Sequence, residues 1–279
     1  MPGSSQSTLK TVERAMRLLQ AFSHDRAEFS VGELSRELGI HKSIVSRLVS
    51  ALRRSRMLDQ DPQTRRVCIG VGAFRLGSIF ANRQSIVQRV TPFLGLLVAR
   101  TGQSAHAAVL DGTLALVVAS VESPSTLRVI SRVGDHRCLH ATATGKLFLA
   151  YSDPPLLEAA AQDPGLIALT RTTVTDLKKL RGELEQVRRS GVAWNQGESH
   201  AGTGGVAAPV LGEGGHIVAV ISSMFPLNFI NERQRRTIAA ETVAVAKMVS
   251  DKFRSPVFAP KRSTEKTSGP KRNGAKNRG

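Results

Sequence analysis

The stretch from Ser30 to Leu52 constrains this chain more than any other. Ser30-Val31-Gly32-Glu33 is a capping box, in which the serine hydroxyl accepts from a first-turn amide and the glutamate reaches back. Leu34 and Leu38 continue an apolar face and Gly39 is a natural stop, so a short helix is expected over Val31 to Leu38. A second helix should start near His41, with Ile44, Val45, Leu48, Val49 and Leu52 facing inward. Its other face carries Lys42, Ser43, Ser46, Arg47 and Ser50. Two short helices across a glycine turn, the second with a small, basic, hydrogen-bonding face, form the helix-turn-helix pattern.

The flanks extend this pattern. Leu9, Val12, Met16, Leu19 and Phe22 share one face of a helix expected over about Thr8 to Phe22, with Ala15 beside them. Downstream, Met57 to Gln60 and Val67 to Ile69 bracket Asp61-Pro62-Gln63-Thr64-Arg65-Arg66, which reads as a β-hairpin wing. The expected partner is double-stranded DNA. Lys42, Ser43, Ser46 and Arg47 lie in the first turns of the recognition helix, where arginine can bridge guanine O6 and N7 and the others reach bases or phosphate. Arg65 and Arg66 would sit beside the phosphate backbone or in the minor groove.

The charge balance agrees. The chain has 279 residues, with 39 Lys and Arg against 22 Asp and Glu, net +17. That points to a polyanionic partner or a basic appendage. Residues 254–279 alone hold eight basic side chains and one acidic one, and few apolar residues; they are expected to be a disordered basic tail. Aromatic residues make up only 4%, which weighs against a base-stacking single-strand binder. Two cysteines, Cys68 and Cys138, build neither a disulfide framework nor a zinc site, and suit a reduced, cytoplasmic compartment. No apolar run approaches the ~20 residues of a membrane span, so no membrane association is expected.

Beyond residue 70 the pattern changes. A linking helix is expected from Val71 to about Ala81, then a longer one over Ser85 to Arg100 that Pro92 should kink or break. Ala105 to Leu110, Asp111-Gly112 and Thr113 to Val121 form a hairpin signal. Leu127 to Val133 reads as a further strand, and Ala143 to Tyr151 as a short helix. Asp176 to Ser190, capped by Thr175 and stopped at Gly191, is a clear helix. Val206 to Leu211 and His216 to Met224 flank Glu213-Gly214-Gly215 as a second hairpin, and Asn231 caps a final helix to Phe253. Hairpins interleaved with helices make an α+β domain on an antiparallel sheet.

From about Thr8 to Phe253 the chain resembles the IclR (isocitrate-lyase regulator) family of bacterial transcription factors. The resemblance is carried by Gly39-Ile40-His41-Lys42-Ser43-Ile44-Val45-Ser46-Arg47-Leu48 and by Leu139-His140-Ala141-Thr142-Ala143-Thr144-Gly145-Lys146. Gly191-Val192-Ala193, Glu198, Gly202 and Val206-Ala207-Ala208-Pro209-Val210 add to it. It implies a winged helix-turn-helix over 8–70, a linker helix over 71–84 and a GAF-like effector domain over 85–253. It also implies a homodimer or homotetramer on a palindromic operator, controlled by a small molecule, often a carboxylate, with no cofactor.

Carried over residue by residue, the family's effector positions fall on the amides of Ala143 and Thr144 and on Asn195, Thr203, Gly205, Ser222 and Met224. Val129 and Arg137 fall near the pocket wall. Relatives that sense small keto acids carry an acid at Asn195, a cysteine at Gly205 and a serine at Met224. These departures point to a larger, partly apolar or aromatic acid. In the wing region Arg56 and Arg65 replace family glycines.

Other functions find less support. Cys138 and His140 alternate on one strand without a companion acid, so no catalytic residue is assigned. Glu198 and His200 are two potential ligands, short of a metal site. Gly202-Thr203-Gly204-Gly205 lacks the Lys-Ser/Thr and the helix of a phosphate loop. A low-specificity architectural DNA-binding protein remains the alternative, opposed by the effector-type domain.

Overall fold

The computed structural model describes residues 3–83 and 85–254; the expected basic tail lies outside them apart from Arg254. The N-terminal unit comprises α1 (Gly3–Gln20), β1 (Glu28–Phe29), α2 (Val31–Leu38), α3 (Lys42–Arg54), β2 (Leu58–Gln60) and β3 (Val67–Ile69). The capping box at Ser30 and Glu33 is formed in both directions, and Gly39 ends α2 at φ 64°, a left-handed conformation that glycine adopts without strain. Leu18, Phe29, Leu34, Val45, Leu48, Val49, Leu58 and Val67 build the core of this unit. Three details differ from the sequence reading. The α1 face that turns inward carries Ala15, Leu18 and Leu19, while Leu9, Val12 and Met16 are exposed. Phe22 lies past the helix end and packs edge-on against Phe29. The wing also gains a third strand, because β1 pairs with β3.

Helix α4 (Val71–Arg83) leads to α5 (Ser85–Thr101). No break occurs at Pro92. Its ring and the Gln88 carbonyl whose bond it removes both lie on the exposed side, while Ile86, Val90, Leu94 and Leu97 anchor the other side in the core.

The C-terminal unit adds β4 (Ser104–Asp111), β5 (Leu114–Val121), β6 (His136–Cys138), α6 (Ala143–Tyr151), α7 (Pro154–Ala160), α8 (Leu177–Ser190), β7 (Ala193–Gln196), β8 (Thr203–Leu211), β9 (Ile217–Pro226) and α9 (Glu232–Arg254). Its six strands form one antiparallel sheet in the order β6-β5-β4-β9-β8-β7. Helices α5 and α9 bury their apolar stripes on one face, against Ala105, Ala107, Ala219 and Ile221. Helices α6 and α8 cover the other, against Ala108, Ala193, Ala207 and Val220. This is the expected α+β architecture.

The strand expected over Leu127 to Val133 does not form. These residues belong to a loop between β5 and β6, in which Leu127, Ile130 and Val133 are exposed; the short β6 pairs with β5 instead. Helix α8 takes its cap from Asp176, not Thr175: the Asp176 carboxylate accepts from the Lys179 amide at 2.6 Å.

Candidate functional site

The recognition surface follows from α3. Lys42, Ser43, Ser46, Arg47 and Ser50 are all exposed, while Val45, Leu48 and Val49 are buried. His41 caps the helix, and Ser43 donates its amide (3.4 Å) and hydroxyl (2.9 Å) to His41 Nδ1. The wing turn is organised by Asp61, which accepts from the amides of Gln63 and Thr64; these bonds hold its carboxyl below the usual carboxylate range. Arg65 is exposed on the turn at φ 58°. Arg56 shares that left-handed φ of 58°, a backbone region that glycine adopts without strain. Arg66 behaves differently. Its guanidinium donates to the Glu28 carbonyl at 3.0 Å and pairs with Glu33 at 3.1 Å, bracing the wing against α2.

The second site is a cavity of about 390 Å³ on the α6 face of the sheet. Val129, Arg137, Ala143, Thr144, Asn195, Thr203, Gly205, Ser222 and Met224, named from sequence, all line it. Strand register explains why. Asn195, Gly205 and Met224 are opposed across β7, β8 and β9, and Ser222, two residues from Met224, opposes His106 on β4. A Cβ at Gly205 would meet only ordinary contacts at 3.6 and 3.8 Å, so glycine there leaves open room rather than relieving a clash. Gly145 is the opposite case: a Cβ there would lie 2.3 Å from Leu139 backbone atoms, so only glycine lets the first turn of α6 pack against the turn that leads into it from β6.

Helix α6 points its N-terminus at the cavity. Thr142 supplies the acceptors for the amides of Gly145 and Lys146, while those of Ala143 and Thr144 have no intrahelical acceptor. Aimed amides with the positive end of the helix dipole suit an anion. Asn195 and Ser222 are partly committed. Asn195 donates to Ser199 and accepts from the Glu198 amide, both at 2.8 Å, and Ser222 donates to the Val206 carbonyl at 3.1 Å.

The sequence reading missed His106 as a cavity residue. It is buried, with Nε2 3.0 Å from Thr144 Oγ1 and Nδ1 3.0 Å from Met224 Sδ. Burial pushes its pKa down to about 3, and the Arg137 charge acts in the same direction, so the ring is neutral. A single ionisable residue in the small-residue run from Ser104 to Ala108 was the available signal. Also missed were Asp25 from the N-terminal unit, Arg128, Arg132 and Asp135 from the β5–β6 segment, and Ser199 and His200.

The remaining polar motifs have structural partners. Lys146 is buried against Glu198 and Glu183. His140 Nε2 donates to the Ile167 carbonyl at 3.0 Å, and burial pushes the Cys138 thiol up. Among the described residues no group of three His, Cys, Asp or Glu side chains is placed to hold a metal, and no helix is long and apolar enough to cross a membrane.

A winged helix-turn-helix domain joined to a sheet domain that carries a polar cavity defines a class, the ligand-binding transcriptional regulators. Residues 79–251 match the bacterial transcriptional regulator IclR C-terminal domain and residues 11–62 the IclR helix-turn-helix domain. The first match spans more than half of the chain, which belongs to the IclR family. It is therefore a regulator of transcription rather than an enzyme. Among its relatives, the HTH-type transcriptional regulator XynR of Escherichia coli K12 is 28% identical over 214 residues, 77% of this chain and 85% of that protein. The transcriptional repressor AllR of the same strain is 27% identical over 228 residues, 82% and 84% of the two chains. The IclR transcriptional regulator from Alicyclobacillus acidocaldarius superposes with a TM-score of 0.78 at 26% identity, covering 87% of this chain and 98% of that one. An IclR homolog from Microbacterium hydrocarbonoxydans, complexed with 4-hydroxybenzoate, shares the fold at a TM-score of 0.74 and 22% identity, covering 87% and 99%.

Proposed function

We propose that this regulator binds its operator through Lys42, Ser43, Ser46 and Arg47 in the major groove and Arg65 on the wing, under control of an organic carboxylate held in the α6 cavity. Arg66 enters as the brace that sets the wing's angle. The division is a reader over 8–70, a linker over 71–84 and an effector domain over 85–253, with the basic tail adding sequence-independent attraction. Two sets of exposed apolar residues support a homo-oligomer: Leu9, Val12 and Met16 along one face of α1, and Val71, Phe74, Leu76 and Ile79 around α4.

The observation that carries the ligand reading is the pairing of the Ala143 and Thr144 amides with a cavity lined by three arginines, Arg128, Arg132 and Arg137. The acid lies at the amides, assisted by Arg137. Met224 and the open space at Gly205 take an apolar body, and neutral His106 with Thr144 offers a hydrogen-bonding group beside it. Most of the lining is polar, which favours a compact ring that carries a further hydroxyl over a purely apolar chain. The 4-hydroxybenzoate complex of the Microbacterium homolog has this chemistry. Calorimetric titration with 4-hydroxybenzoate and benzoate against pyruvate and glyoxylate tests the reading. Binding of the ring-bearing acids is expected; tight binding of glyoxylate alone would overturn it.

A further inference from the structure

Each of the three arginines around the cavity is paired with an acid, but the acids do not come from one domain. Arg128 Nε donates to Glu122 and Arg137 to Asp135, both at 2.8 Å and both within the β5–β6 segment. Arg132 instead donates to Asp25 Oδ1 at 3.1 Å. Asp25 lies in the turn between α1 and β1 of the DNA-binding domain, and it is itself part of the cavity lining. Next to it, the His24 ring lies within hydrogen-bonding distance of the Val133 carbonyl, Nε2 to O 2.9 Å. One short loop, Val129 to Val133, thus both walls the ligand cavity and holds the reader domain.

The two sides of that loop are unequal. Asp135 is 26% exposed and bound inside its own domain, whereas the Asp25 side chain is 87% exposed. Glu122, the partner of Arg128, is 48% exposed. The most exposed pair is the weakest, so beside Arg137 at the amides, Arg132 is the further guanidinium that an anion in the cavity recruits at the lowest cost. We propose that Asp25 is a built-in competitor for an anionic effector: ligand and Asp25 draw on the same Arg132 charge, so occupancy of the cavity releases the reader domain from the effector domain. This rests on the reading of the cavity as a carboxylate site. It gives the ligand the differential interaction with two states that any population shift requires.

The test has two arms on the full-length chain. In the first, 4-hydroxybenzoate and benzoate are titrated calorimetrically. Asp25→Asn keeps the side-chain shape and removes the charge, and should tighten acid binding by about two- to five-fold, the range an exposed pair supports. Arg132→Gln should weaken it by a similar factor, and in the Arg132→Gln background Asp25→Asn should gain nothing. In the second arm, hydrogen–deuterium exchange is followed without ligand over residues 128–135. Faster exchange in Asp25→Asn than in the parent is expected, because the loop loses its hold on the reader domain. If acids bind and Asp25→Asn changes neither affinity nor exchange, the competition is overturned and the carboxylate reading stands. If neither ring-bearing acid binds while exchange does change, both the competition and the reading of the cavity as a ring-bearing carboxylate site fail, and the contact between domains stands.

Discussion

Lys146 Nζ lies 2.6 Å from Glu198 Oε2 and 2.8 Å from Glu198 Oε1, with the lysine side chain 4% exposed. Glu183 takes the third ammonium donor at 2.9 Å. The pair ties α6, whose N-terminus faces the cavity, to the 197–202 loop that closes it. Lys146→Met should cost about 3–5 kcal/mol, because it strands the buried Glu198 carboxylate, which no other cation among the described residues pairs. Lys146→Met with Glu198→Gln should cost clearly less than the sum of the two. Urea unfolding of the four proteins measures the coupling.

His106 makes stability depend on pH in a predictable direction. Its folded pKa, about 3, lies below the ordinary 6.5, so the unfolded chain binds the proton more readily. Stability should be complete above pH 6.5 and fall as pH drops toward 3. Glu33 and Asp61 have lowered carboxyl pKa values and add their own loss only below their ordinary 4.5 and 3.8. The interval from 6.5 to 4.5 therefore isolates the histidine. His106→Gln should flatten the melting temperature against pH across that interval; an unchanged slope would mean the ring is not held neutral.

Arg65 sits at φ 58°, where a side chain costs about 1–2 kcal/mol that glycine avoids. Arg65→Gly should therefore raise stability by up to about 1 kcal/mol, offset in part by the freer unfolded chain. The same change should weaken DNA binding across all sequences and lower the salt slope by about 0.9, if its guanidinium neutralises one phosphate. Melting curves and salt titrations on one preparation read both effects.

Arg47 is exposed on the second turn of α3, beside Ser43 and Ser46. Arg47→Ala should reduce discrimination between a duplex selected by this protein and a scrambled one by about 1–3 kcal/mol, as expected for a bidentate guanine contact. An equal loss on both duplexes would make it a phosphate contact.

Met224 gives the cavity floor its adaptable apolar surface, with its sulfur 3.0 Å from His106 Nδ1. Met224→Ser should weaken binding of a ring-bearing acid by about tenfold through lost apolar contact. Operator affinity without ligand should not move. Parallel calorimetry and DNA titration check the two halves.

The sequence alone determined what depends on neighbours along the chain. The capping box at Ser30, the left-handed stop at Gly39, the apolar stripe of α3 and the Asp111-Gly112 hairpin are all local, because caps, turns and helical periodicity act over a few residues. The cavity residues beyond those local signals came from the family resemblance, since Asn195, Gly205 and Met224 lie on different strands and nothing local marks them as neighbours. Only the tertiary structure decided the rest. Strand register put His106 opposite Ser222 and under Thr144. Leu9, Val12 and Met16 face outward, covered by none of the described residues, although their spacing suits a core. The segment from Leu127 to Val133, with four apolar residues in seven, reads as a strand but became a loop, because β6 took the edge of the sheet beside β5. Asp25 reached the ligand cavity because the two domains meet there, at a separation of more than a hundred residues. Pattern fixes which face of an element is apolar; which other element arrives to cover it is settled by packing across the whole chain.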